Sequence, residues 1–189
     1  MSAVLKKARW PGLCAFSLGA SLASDLTNAA VDRIDDTDAQ ILHLLQTRGR
    51  IKRTEIAEAV GLSIPSVSER MRKLEARGVI TGYHAVVDAK RLGRDITAYV
   101  RVRSRGSEHY PAFIEAVTAM DEVLELHSVT GGGSHLLKVR VANTAALEQL
   151  LGALQALPGV RGTETSLVLS TLKETRYLRA EPMTLAPTD

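Results

Sequence analysis

Ser66, Arg70, Lys73 and Arg77 recur at i, i+4, i+7 and i+11. Side chains at that spacing share one face of a helix. Three cations and a hydroxyl do no covalent chemistry there. They can neutralise phosphates and donate to base edges, the two kinds of contact that hold a protein on a duplex and let it read sequence. One residue further on, Val67, Met71 and Leu74 recur at i, i+4 and i+7 and offer a face to bury. Ser63 can accept a bond from a free N–H at the helix start. Pro65 falls in the first turn, where a missing N–H costs little. Gly78 stands just past the end, where a left-handed residue commonly closes a helix.

The elements around this face fit the same reading. Residues 54–78, TEIAEAVGLSIPSVSERMRKLEARG, read as a short helix, a turn at Gly61 and a second helix. That is a helix-turn-helix, whose second helix enters the DNA major groove. Ser66, Ser68, Glu69 and Arg70 would reach base edges, while Arg72, Lys73 and Arg77 would bind phosphates. Lys52, Arg53, Thr54 and Ser63 complete the candidate DNA-binding set. The plainer alternative is an amphipathic surface helix with Glu69 and Lys73 paired at i,i+4.

An earlier helix is expected over Thr37–Thr47, with Thr37 and Gln40 as a capping box and Ile41, Leu42, Leu44 and Leu45 as its apolar side. Ile80–Val87, ITGYHAVV, is β-branched and aromatic and follows a glycine closely. It reads as a strand, the wing of a winged helix-turn-helix. Asp88–Asp95, DAKRLGRD, is polar and reads as a linker.

The second half alternates strand and helix. Ile96–Val102 puts Ile96, Ala98, Val100 and Val102 on one face. Tyr110–Met120 is helical, with Tyr110, Phe113, Ile114 and Val117 in register. Val123–Val129 and His135–Val141 are strands around a Gly131-Gly132-Gly133 turn. Leu147, Leu150, Leu151 and Leu154 mark a helix stopped before Pro158. Val160–Leu172 is the last strand. The order βαββαβ predicts a ferredoxin-like α+β domain. Its two helices cover one face of the sheet, and a second subunit is the simplest cover for the other.

With 189 residues, 45% hydrophobic and 24% charged, the chain suits one large or two small globular domains. The net charge of +3 is uneven. Residues 31–107 carry +5 and residues 108–189 carry −4. A basic half joined to an acidic half suits a nucleic-acid module joined to something else. Cys14 is the only cysteine, so no disulfide or cysteine-based metal site forms within one chain. The five histidines show no ligand spacing, and neither a metal nor a cofactor is expected. In residues 1–30, Lys6, Lys7 and Arg9 precede the apolar run WPGLCAFSLGASLAS, which looks like a short secretory signal. Pro11 and Gly12 interrupt the run, and it is too short to span a membrane. A non-conforming extension, disordered or from a mis-assigned start, is the expectation for 1–30, and a frayed tail for 179–189.

Several segments together resemble one family. IDDTDAQIL (Ile34–Leu42), GRI (Gly49–Ile51), EIAEAVGLS (Glu55–Ser63), ERMRKLEARGVITGY (Glu69–Tyr83), VTGGGSHLLKVRV (Val129–Val141) and LPGV (Leu157–Val160) are similar to the Lrp/AsnC, or feast/famine, transcription regulators. The likeness runs in order over about residues 31–178. It implies a winged helix-turn-helix over 31–87, a linker over 88–95 and a RAM domain over 96–178 that binds an effector and drives oligomerisation. It also implies double-stranded DNA as partner, a small effector, usually an amino acid, and homodimers assembling into tetramers or octamers in the cytoplasm, on the nucleoid. The family's DNA-binding motif falls on Thr54–Lys73. Its effector loop falls on Val129, Thr130, Gly131, Gly132, Gly133, Ser134 and His135. Family members often carry two acids in that loop, in a pattern like G-D-x-D-Y. Here both are gone, and with them the natural partners of an ammonium group. The glycine N–H groups could still hold a carboxylate, with Ser134 and His135 adding polar contacts. A plain hairpin turn explains three glycines equally well. A further departure is Lys52, where relatives often have a serine; it could contact a phosphate or stay solvated.

Two other functions fit the architecture. Related two-domain proteins resemble sirohaem decarboxylases, and His127, His135, Arg101 and Arg140 are the residues such an enzyme would use. A decarboxylase has no use for the basic helical face, and no nucleophile–base pair is evident. A DNA-packaging protein of low specificity would keep that face, because phosphate contacts supply most non-specific affinity.

Overall fold

The computed structural model describes residues 33–184, so the expectations for residues 1–30 lie outside the described part. These residues form two compact units, 33–73 with 179–184, and 74–178.

In the first unit, β1 (Arg33–Ile34) leads into α1 (Asp36–Thr47), α2 (Arg53–Val60) and α3 (Ile64–Ala76), whose last three residues belong to the second unit. The cap of α1 is Asp35, not Thr37: the Asp38 N–H donates to Asp35 Oδ1 at 2.7 Å. With the helix starting at Asp36, Thr37 already lies within the first turn, where it cannot cap. Asp36 and Asp38 also stand where the positive end of the helix dipole favours acids. Gly61, at φ +67°, ends α2 in a left-handed turn that other residues adopt at a cost. Ser63 starts α3, and its Oγ accepts from the Ser66 N–H at 3.3 Å. Ile41, Ile56, Ala57, Val67 and Met71 pack as one core between the helices. The C-terminal segment is not frayed throughout. Met183–Thr184, β6, pairs antiparallel with Arg33–Ile34. That ladder satisfies backbone groups of two short segments that neither could satisfy alone.

In the second unit, residues 81–88 carry no regular structure, and the expected strand over Ile80–Val87 is absent. A strand needs a neighbour for its N–H and C=O groups, and no described segment pairs with this one. Val86 is 99% exposed. The polar stretch after it closes a turn, with the Gly93 N–H bonded to the Lys90 carbonyl at 2.9 Å.

The sheet that follows has the order β3-β4-β2-β5 and is antiparallel throughout. Its strands are β2 (Ile96–Ser104), β3 (Val123–Ser128), β4 (His135–Val141) and β5 (Val160–Leu167). The helices are α4 (Tyr110–Thr118) and α5 (Thr144–Gln155), the latter capped by Asn143, which accepts from the Ala146 N–H at 2.9 Å. This is the expected βαββαβ order. Ala98, Val100, Val102, Leu137, Val139 and Val141 form a core with Phe113, Val117, Leu147, Leu150 and Leu154 of the helices. β5 stops at Leu167, not Leu172. Its partner β2 begins at Ile96, so the ladder ends beside Thr97 and leaves Leu169 96% exposed.

Candidate functional site

Helix α3 buries Val67, Met71 and Leu74 and leaves Ser63, Ser66, Glu69, Arg72 and Lys73 exposed. Lys52, Arg53 and Thr54, at the start of α2, are exposed too, and Ser68 is half-buried. Ser63 and Ser66 share a hydroxyl–hydroxyl bond of 2.8 Å, which fixes their rotamers at the N-terminal end of the helix. Arg72 grips Glu69 with two bonds, at 2.7 and 2.9 Å, and Lys73 Nζ lies 3.8 Å from the same carboxylate. The Arg72 bond, chiefly, holds the Glu69 carboxyl below its usual range. Glu69 thus organises two cations on the exposed face and stays ionised.

Two residues depart from the expected outward stripe. Arg70 turns back onto α1. Its Nη1 lies 2.7 Å from Asp35 Oδ2 and 2.8 Å from Asp38 Oδ1. Two acids at the start of α1 share the same guanidinium nitrogen, and the Asp38 side chain is only 8% exposed, so salt and solvent screen that pair weakly. Partial burial by itself pushes the Asp35 carboxyl up, but the Asp38 N–H and Arg70 outweigh it, so the net shift is downward. Arg70 therefore fastens α3 to α1 in the free protein. Arg77 lies past the last residue of α3 and is half-buried.

The glycine loop Val129–His135 is a hairpin. The Val129 N–H bonds to the Ser134 carbonyl at 3.1 Å, and the Ser134 N–H to the Val102 carbonyl at 2.9 Å. Gly131 sits at φ +98°, where glycine is favoured. Gly133 has no room for a side chain: a Cβ there would lie 2.6 Å from Arg101 Cγ and 3.0 Å from the Val102 carbonyl. Beside the loop lies a cleft of about 540 Å³, lined by Arg103, Ser104, Gly131, Gly132, Gly133, Ser134 and Arg161.

His135 does not share that cleft. It occupies the first core-facing position of β4 and is 1% exposed. Tyr110 packs edge-on to it at 4.7 Å and Phe113 at 4.9 Å, and neither ring nitrogen has a hydrogen-bond partner. Burial holds its pKa below the ordinary value. The alternation along β4 puts the first residue after the loop underneath the sheet, so Ser134 is the last that can face a ligand.

The tetrapyrrole set does not converge either. Arg101 and Arg140 stand on the sheet face opposite His135, Arg140 donating to Thr97 Oγ1 at 2.9 Å. His127 is exposed and 3.2 Å from Glu125. Lys138 is held on that same face between Glu125 and Glu174. Among the described residues, no three His, Cys, Asp or Glu side chains gather as a metal site requires. No described helix is long and apolar enough to cross a membrane.

Arg103, Ser104 and Arg161 were not singled out by the sequence, although the alternation RVRSR at 101–105 already sets its arginines on one face of a strand. The same holds for Asp35 and Asp38.

Comparison with known proteins matches both units. Residues 34–81 match a family described as winged helix-turn-helix DNA-binding, and residues 97–178 match the Lrp/AsnC ligand binding domain. The chain is 40% identical over 136 residues to the uncharacterised HTH-type transcriptional regulator YezC of Bacillus subtilis, covering 72% of this chain and 93% of that protein. It is 38% identical over 154 residues to the leucine-responsive regulatory protein of Haemophilus influenzae, covering 80% of this chain and 91% of that one. The transcriptional regulator NMB0573 of Neisseria meningitidis, solved with L-methionine, superposes with a TM-score of 0.72 at 29% identity, covering 76% of this chain and 95% of its own. With a winged helix-turn-helix followed by that ligand-binding domain, and relatives of this identity along nearly their whole length, the chain belongs to the Lrp/AsnC family of transcription regulators.

Proposed function

We propose that this regulator binds a specific, roughly palindromic operator as a dimer or a larger even assembly, and that a small carboxylate-bearing effector shifts it between assembly states. The exposed face of α3 carries this reading. Ser63, Ser66 and Glu69 are exposed toward the N-terminal end of this face and would reach base edges, and Arg72 and Lys73, also exposed, would bind phosphates. Lys52, Arg53 and Thr54 of α2 would add backbone contacts. Two copies related by a twofold axis would read half-sites about one helical turn, or a multiple of it, apart. The glycine loop, onto which the family resemblance maps the effector site, is the effector contact in this reading, and a relative solved with L-methionine supports a small carboxylate-bearing ligand for this fold. The coupling between effector and operator need be only about 1–3 kcal/mol. Its place of action is the cytoplasm, on the nucleoid, and it has no catalytic role.

The test is an anisotropy titration of the full chain on the DNA upstream of its own gene, with unrelated competitor DNA and with each common amino acid in turn. Retention against competitor supports an operator-specific regulator. Binding that any competitor abolishes equally would replace this reading with low-specificity packaging.

A further inference from the structure

We propose that the cleft beside the glycine loop takes a small dianion, a dicarboxylate, as its preferred ligand in place of a neutral amino acid. This rests on the glycine loop being the effector contact, and adds the class of effector.

Three observations carry it. First, the cleft holds two guanidiniums, Arg103 and Arg161, and no carboxylate lines it. Neither arginine is ion-paired among the described residues. A zwitterionic ligand would find partners for its carboxylate and only hydroxyls and carbonyls for its ammonium. An ammonium there would also be repelled by the two guanidiniums, with no anion beside it to compensate. A second carboxylate in the ligand would meet the second guanidinium, and planar two-point pairing is what guanidiniums do well.

Second, the placement of Arg161 follows from a backbone irregularity. The β2–β5 ladder pairs Arg103 with Gly162 and then Ser104 with Val160, so Arg161 is the extra residue of a bulge. A bulge re-aims a side chain. Here Val160 goes to the helix-side core, while Arg161 joins Arg103 at the cleft. In an unbroken ladder, the residue next to Gly162 would face the helices.

Third, the N–H groups of Gly131, Gly132 and Gly133 have no partner among the described residues. Gly131 and Gly132 have nothing within 4 Å of where a Cβ would stand. Successive free amides in a turn form an anion-binding concavity. The cleft volume of about 540 Å³ is in the range of small-molecule sites.

The experiment is isothermal titration of the full chain, without DNA, using succinate, with butyrate and L-leucine as single-carboxylate controls. Each is repeated on Arg161→Gln and Arg161→Lys. Succinate is expected to bind about tenfold or more tighter than either control. R161Q is expected to remove that advantage without lowering the melting temperature of the free chain, since Arg161 is exposed. R161K is expected to keep part of it. Leucine or butyrate binding as tightly as succinate overturns the proposal, and so does succinate binding that R161Q leaves intact or the absence of succinate binding. Because DNA is absent, these outcomes are independent of the operator titration. A chain that binds succinate yet ignores its operator would count against the regulator reading alone.

Discussion

Arg70→Ala separates two roles for one arginine. On the duplex-facing reading, the change weakens operator binding and leaves folding alone. In the structure, Arg70 bridges α3 to Asp35 and Asp38 of α1 at 2.7 and 2.8 Å. The Asp35 arm is half exposed, and such pairs contribute at most about 1 kcal/mol. The Asp38 arm differs, because that side chain is 8% exposed and the variant leaves its charge without a cation. Removing one partner of a fully buried pair costs about 3–5 kcal/mol. Arg70 itself is one-third exposed, so screening reduces this, and the expected loss is about 2 kcal/mol. Asp38→Ala alone should cost about 1 kcal/mol, because the remaining arginine can reach water. The double variant should be no less stable than Arg70→Ala, giving a coupling energy of about 1–2 kcal/mol. Urea unfolding of the four proteins measures the cycle, followed by operator titration of each at a temperature where all are folded. The stability arising from Asp35 also has a pH window. Its folded pKa is depressed, so the contribution is present above the ordinary value of 3.8 and is lost as pH falls below it. If Arg70→Ala unfolds at the same urea concentration as the parent while operator affinity drops about tenfold, then the bridge has no energetic role and Arg70 is a DNA contact.

Other outcomes follow from individual contacts. Lys73→Ala should leave thermal stability unchanged and reduce the salt slope of DNA binding by about 0.9, the loss of one phosphate contact; an unchanged slope removes Lys73 from the interface. Gly133→Ala should cost about 1–3 kcal/mol by overpacking against Arg101 and the Val102 carbonyl, whereas Gly132→Ala, with open space around it, should stay within about 0.5 kcal/mol. Differential scanning calorimetry of both variants measures the difference, and equal melting temperatures would refute the close approach at Gly133. His135 gives a pH signature. Burial depresses its folded pKa, so the unfolded chain binds the proton more readily than the folded one. Stability is then full above pH 6.5 and falls as pH drops below it. His135→Leu should flatten that slope between pH 7 and about 5.5; a variant that keeps the parent slope assigns it to another group.

The readable parts of the sequence were those governed by one repeating period. Val67, Met71 and Leu74 are buried as their spacing requires. The β4 strand runs over the residues its alternation marks, and the βαββαβ order appears complete. What the periodicity could not supply was pairing. Ile80–Val87 has the composition of a strand, but composition provides no neighbour, and among the described residues the segment has none. Leu169 and Thr171 continue the β5 alternation beyond the point where β2 begins, so the pattern outlasts the ladder. Met183–Thr184 shows the converse: two residues with no pattern of their own are ordered because Arg33–Ile34 lie alongside.

The candidate sites divide along the same line. Helical spacing placed Ser66, Arg70, Lys73 and Arg77 on one stripe, and two of the four left it. Arg70 did so because acids 32 and 35 residues away in sequence compete for it, and a single-helix pattern contains no such information. The cleft depends on a subtler event. Period-two reasoning along β5 puts Thr163 and Thr165 beneath the sheet, and by extension Arg161 as well. One inserted residue reverses that side for everything before it. Val160 then fills the core and Arg161 is released to stand beside Arg103. The glycines that mark the loop are legible in the sequence. The cations that give the loop its chemistry arrive through a register shift, and such a shift exists only once two strands are paired.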